Sequence, residues 1–181
     1  MTPPLDELTP LLEAVAFAAR AHRTQVRKDG QTPYASHPFR VGLVLRHVFG
    51  VTDAKVLTAA VLHDTIEDTT TDCDDLIERF GPDVARWVAA LTKDKRLPEE
   101  ERERAYAAAL AAGGWPVHVC KLADVFDNLL DSGHFPPEKR WRTFSRARFY
   151  LDALEPHLGT EARPAFELVR KLLQEVTASA K

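Results

Sequence analysis

The sequence predicts an all-α fold, a single domain built as a bundle of about eight to nine helices. Three observations carry that expectation. Apolar residues recur at three- and four-residue steps along nearly the whole chain, caps and breakers fall where those stretches start and stop, and no stretch alternates apolar and polar residues with β-branched and aromatic enrichment. The 181 residues suit one core, because single hydrophobic cores stop growing beyond ~250 residues, and they leave no room for a second catalytic domain.

Each element has its own signal. Leu5, Leu8, Leu12, Val15 and Ala19 step along one face of a first helix. Pro38 sits just inside the start of a second helix, Gly50 follows Phe49 as a C-cap, and Asp53 is the N-cap of a core helix over 56–62. Thr71 with Asp74 three residues on reads as a capping box, and Gly81-Pro82 closes that helix and opens another. Glu99 to Ala112 is an exposed helix entered through Pro98 and closed by Gly113-Gly114, after which Pro116 opens a helix to about Asp131. Pro137 to Leu154 and Glu161 to Ala178 form the last two, separated by Pro156 and Gly159.

Composition narrows the class of function. With 45% hydrophobic and 28% charged residues the chain can offset its ordering entropy, so disorder is excluded as the ground state. A net charge of −3 argues against bulk nucleic-acid binding, and an anionic ligand must then be met by a local basic patch. Cys73 and Cys120 form no CxxC pair and are expected as reduced thiols. The N-terminal MTPPLDELTP lacks a basic and an apolar targeting region, and the longest apolar run, Ala105 to Ala112, falls short of the ~18 residues of a membrane span. A cytoplasmic protein with no membrane and no nucleic-acid partner is expected.

The informative residues are polar ones inside apolar stretches. Val61-Leu62-His63-Asp64-Thr65-Ile66-Glu67-Asp68 leaves a core helix and places one imidazole and three carboxylates within six residues. On a continuous helix Glu67 lies one turn beyond His63, and Asp68 one turn beyond Asp64, so the four present one polar end. Buried, such groups need partners or a metal. His37, in Ser36-His37-Pro38, and Asp124, in Lys121-Leu122-Ala123-Asp124, can complete the set. Two imidazoles with two carboxylates suit Mn²⁺, Fe²⁺ or Zn²⁺ better than Ca²⁺ or Mg²⁺. Taken singly, a His at a helix start is more often a surface or capped residue, and an Asp in a helix often points to water.

The pattern His37, His63-Asp64, Asp124 resembles the signature of the HD superfamily of metal-dependent phosphohydrolases. With Arg27-Lys28, Thr32-Pro33-Tyr34, the string His63-Asp64-Thr65-Ile66-Glu67-Asp68-Thr69, Phe80-Gly81 to Leu91-Thr92-Lys93, Lys121 to Asp124 and Asn128, the chain is similar to the hydrolase domain of RelA/SpoT homologues over roughly residues 5–155, and to its free-standing, Mesh1-like form. The resemblance implies an HD-type bundle that removes the 3′-pyrophosphate of the guanosine alarmone (p)ppGpp, giving GDP or GTP. It implies Mn²⁺ held by His37, His63, Asp64 and Asp124, with Glu67 and Asp68 positioning or deprotonating the attacking water and Asn128 contacting ribose or that water. Arg27 and Lys28 match the family's phosphate-contacting pair.

Residues 139–148 add five basic side chains and no acidic one. On a helix Arg142 and Arg146 share a face, which Phe149 or Tyr150 extends, and Lys121 is a further candidate cation. Against the family pattern, Val125 and Leu130 stand where basic residues are usual, and Asp127 where an aromatic residue or His is common. Two phosphate contacts are thereby removed and negative charge is added near an anion site. An adenosine alarmone, (p)ppApp, or another phosphorylated nucleotide such as NADPH is the alternative substrate. A 5′-nucleotidase and a nucleotide-sensing module without turnover are the other readings, and a homodimer stays open.

Overall fold

The computed structural model describes residues 5–180, the side chains of 5–7 excepted. Among these residues the backbone forms nine α-helical segments: α1 (Leu5–Ala21), α2 (Ser36–Leu43), α3 (Ala54–Leu62), α4 (Thr65–Asp68), α5 (Cys73–Ala90), α6 (Glu99–Ala112), α7 (Gly114–Asp131), α8 (Pro137–Leu154) and α9 (Arg163–Ser179). One π-helical turn, Val44–Val48, prolongs α2. The β pairing among the described residues is a single bridge, Val26 to Pro33. The all-α expectation holds.

Two helices make the centre. Every residue of α3 from Val56 to Leu62 is buried, as befits a helix that is apolar all round. Helix α7 buries an unbroken run from Pro116 to Val125 and packs against α2, α3, α8 and α9. Helix α1 covers α3, while α6 and α8 pack on each other beside α7. All of the larger helices contribute to one continuous hydrophobic cluster. Asp53 caps α3 by accepting from the amides of Lys55 and Val56, and Gly50 takes φ 73° after Phe49, as its C-cap position requires.

Two local expectations need correction and a third holds. Helix α1 buries Ala14 and Ala18, with Leu11, Val15 and Phe17 packed beside them, whereas Leu12 is 58% exposed; the side chain of Leu5 lies outside the described residues. The small alanines let α1 approach α3 closely, so the buried stripe is rotated from the one that leucines alone suggest. The capping box is Asp72 with Asp75, each side chain meeting the other's amide, not Thr71 with Asp74. Thr71 instead bonds Thr69. Gly81, at φ 84° and ψ 165°, breaks α5 ahead of Pro82 as expected, in a conformation open to little but glycine.

Leu122→Ala, at a fully buried site on α7, should cost about 2–5 kcal/mol. The midpoint of urea unfolding at constant slope measures it.

Candidate active site

The polar cluster forms where α3 ends. The chain does not continue as one helix through His63 and Asp64, as spacing alone suggested; α3 stops at Leu62 and a separate turn, α4, begins at Thr65. Thr65 Oγ1 donates to the Leu62 carbonyl at 2.7 Å and Asp68 N to the Asp64 carbonyl at 2.9 Å. On a continuous helix neighbours diverge by about 100°. The break turns both side chains to one point, with His63 Nε2 and Asp64 Oδ2 3.0 Å apart.

His37 from α2 and Asp124 from α7 reach the same point. His37 Nε2 lies 3.2 Å from Asp124 Oδ1 and 3.7 Å from Asp64 Oδ2, and His63 Nε2 lies 3.9 Å from Asp124 Oδ1. One ligand atom each from His37, His63 and Asp124 falls within 4.8 Å of the others, and all three residues are buried. The protonation pattern also fits a cation. His63 Nδ1 is 2.8 Å from the Ala60 carbonyl, which fixes the proton there, and Nε2 is buried with no hydrogen-bond partner. His37 Nδ1 is likewise engaged, 2.7 Å from Asp127. Both imidazole Nε2 atoms, that of His63 unpartnered and that of His37 3.2 Å from Asp124, therefore face two carboxylates across a gap that a divalent ion suits.

Electrostatics agree. Burial opposes charge on Asp124, but the Lys121 ammonium and the two imidazoles outweigh it and hold its carboxyl well below the usual range. Burial likewise pulls the His37 imidazole down, yet its bonds to Asp124 and Asp127 win and raise it to about 9. The carboxylates demand positive charge at this point, which protons or a metal can supply.

Surrounding groups hold the carboxylates. Lys121 Nζ donates to Asp124 Oδ2 at 2.7 Å, and Asn128 Nδ2 donates to Asp124 Oδ1 at 2.6 Å. Tyr34, whose role the sequence did not reveal, donates its hydroxyl to Asp64 Oδ2 at 2.6 Å. Lys121 is thus already committed to Asp124 and lies 4.3 Å from the Tyr150 ring centroid. Glu67 Oε2 accepts from the Lys93 amide at 2.9 Å, and burial, only partly offset by that bond, raises its carboxyl above the ordinary value. Asp68 pairs with Lys95.

A cleft of about 500 Å³ opens over the cluster, lined by all thirteen expected residues: His37, His63, Asp64, Glu67, Asp68, Asp124 and Asn128 toward the cluster, and Arg27, Lys28, Lys121, Arg142, Arg146 and Tyr150 beside it. Lys93, Tyr106, Lys139 and Thr143 line it too. Lys139 lies within the basic run; Lys93 carries no local signal and reaches the cleft through the loop after α5. Phe149 is 42% exposed and does not line the cleft. Arg142 and Arg146 are held by Glu138 and Glu99 in exposed pairs, the weak kind that a phosphate can displace. Lys28 and Lys139 flank the Phe135 ring at 5.1 and 4.7 Å.

The three unusual residues of α7 behave differently from one another. Val125 lines the cleft, so one wall position is apolar. Leu130 is 50% exposed and outside it. Asp127 is 1% exposed and also outside it. Its charge is turned into the helix interface toward His37 and Arg40, not toward an anion.

Fold and site together define a metal-dependent hydrolase built on a helical bundle. Residues 14–114 match the family model described as HD domain. The human guanosine-3′,5′-bis(diphosphate) 3′-pyrophosphohydrolase MESH1 is 46% identical over 134 residues, 74% of this chain and 75% of its own length. The Drosophila melanogaster MESH1 is 38% identical over 87% of this chain and 89% of its own. A solved structure of a metazoan SpoT ortholog that hydrolyses ppGpp superposes with a TM-score of 0.78 at 33% identity, covering 94% of this chain and 97% of the other. The chain belongs to the HD-domain family, among its Mesh1-like hydrolases.

Asp124→Ala removes a candidate ligand and unpairs the buried Lys121. Its affinity for a divalent metal should fall by more than the ~10- to 100-fold that loss of an outer-shell partner costs, measured by calorimetric titration of metal-depleted protein.

Proposed function

We propose that this protein is a Mn²⁺-dependent hydrolase that removes the 3′-pyrophosphate of (p)ppGpp, releasing GDP or GTP and pyrophosphate. The carrying observation is the juxtaposition of the buried His37, His63 and Asp124 cluster, half-buried Asp64 beside it, with seven cationic side chains in one cleft. That pairing of a cation site with a polyphosphate-sized basic wall fits a nucleotide phosphorylated at two positions. The substrate named for the human and fly relatives has that chemistry.

His37, His63, Asp64 and Asp124 are the proposed ligands, a mixed nitrogen and oxygen set that suits Mn²⁺, with Fe²⁺ or Zn²⁺ as alternatives. A bound divalent ion supplies electrostatic stabilisation of charge developing on the scissile phosphate. Glu67, made more basic by burial, takes the proton of the attacking water, and Asp68 helps orient that water. Asn128 acts chiefly by bracing Asp124. Arg27, Lys28, Arg142 and Arg146 receive phosphates, and Tyr150, with Lys121 over its ring and its hydroxyl bonded to Glu103, forms the cleft wall against which the substrate rests. Among the described residues no helix is long and apolar enough to cross a membrane. With Cys73 and Cys120 unpaired, a reducing cytoplasmic setting is the matching compartment.

Incubation with Mn²⁺ and ppGpp, pppApp or NADPH, with products resolved by chromatography, tests the reading. Pyrophosphate and GDP are expected from ppGpp; orthophosphate release, or tight binding without turnover, would contradict it. Glu67→Ala should lower kcat by at least ~100-fold while bound metal stays at the wild-type level. Replacing Arg142 and Arg146 together should raise KM more than it lowers kcat, since both contact substrate away from the reacting phosphorus.

A further inference from the structure

One part-buried chain of charges is left unexplained by these roles. Asp124, Asp127 and Asp131 step along α7 at three and four residues, one stripe on one face. Asp127 Oδ2 lies 2.7 Å from His37 Nδ1, and its Oδ1 accepts from Arg40 Nε at 2.6 Å. Arg40 Nη1 is 3.6 Å from Asp131 Oδ1, and Asp131 Oδ2 accepts from Arg27 Nη2 at 2.7 Å. Arg27 itself lines the cleft. Charges alternate along this path, two carboxylates against two guanidiniums.

An imidazole can bind a cation through Nε2 only if its proton sits on Nδ1, and a carboxylate at Nδ1 enforces that tautomer while making Nε2 a stronger donor. His63 receives the same service from a neutral carbonyl, so His37 is the more strongly polarised of the two rings. A carboxylate as buried as Asp127 would be costly without a second partner. Arg40 provides it, keeping 43% of its own side chain in solvent.

We propose that Asp127 is a positioning residue for His37, and that Arg40 and Asp131 tie it to Arg27, so that one network holds a metal ligand and a substrate-facing cation in register. The position that looked adverse to an anionic substrate becomes part of the metal site's support. The inference rests on the metal reading of the cluster but not on which nucleotide is cleaved.

Calorimetric titration of the metal-depleted full chain with Mn²⁺ tests it. Wild-type protein should bind one ion; if it binds none, the metal reading itself fails. Given wild-type binding, Asp127→Ala should weaken Kd about 10- to 100-fold. Asp127→Asn, which retains volume and one acceptor oxygen, should fall between the two. Thermal unfolding in excess chelator separates structure from positioning. If both variants bind Mn²⁺ within twofold of wild type, whatever their metal-free stability, the proposal is overturned. At the far end, Asp131→Asn should raise KM severalfold with Mn²⁺ affinity nearly unchanged. An unaltered KM would remove Arg27 from the network.

Discussion

Two carboxylates and two imidazoles brought together in a protein interior are the constraint to which the rest of this structure answers. Asp64 and Asp124 repel one another unless positive charge sits between them, and hydrophobic packing supplies none. Helices α2, α3 and α7 are therefore tied together by more than apolar contact, since α2, the turn that ends α3 and α7 each deliver part of the cluster. The break between α3 and α4 has the same origin. It is the local geometry that lets adjacent residues, His63 and Asp64, serve one point.

Around that point nearly every remaining lone pair has a fixed partner. Lys121 and Asn128 hold Asp124, Tyr34 holds Asp64, and the Ala60 carbonyl and Asp127 hold the two imidazoles. His63 Nε2 is the conspicuous exception, buried and without a hydrogen bond. A network that leaves one buried nitrogen unpartnered at the gap has room there for a cation. Farther out the sign reverses: cations from the loop after α1 and from α8 line the cleft, Arg142 and Arg146 held only by exposed ion pairs. A mildly acidic chain thus gathers seven of its 24 Lys and Arg side chains on the surface a polyphosphate would touch.

Much of this was legible from the residues. Prolines and glycines marked the ends of α6 and α8 because backbone sterics act locally, and His63-Asp64 stood out because charge inside an apolar stretch is costly wherever it occurs. Less legible were features set by packing. The rotation of α1 depends on alanines fitting closely against α3, so Leu12 could not be distinguished from Leu11 by period alone. Asp127 was read as a charge near the anion, whereas its destination depends on Arg40, far away in sequence and on another helix. Tyr34 and Lys93 lacked a local signal for their roles because both act from loops whose paths only the folded bundle determines.

The central claim is that the buried cluster binds a divalent ion through both imidazoles. Electron–nuclear double resonance on the Mn²⁺-loaded protein reads this directly. The account predicts coupling to two histidine nitrogens, one of which disappears in His37→Ala and the other in His63→Ala. A spectrum with water and carboxylate couplings alone, unchanged by either substitution, would contradict it.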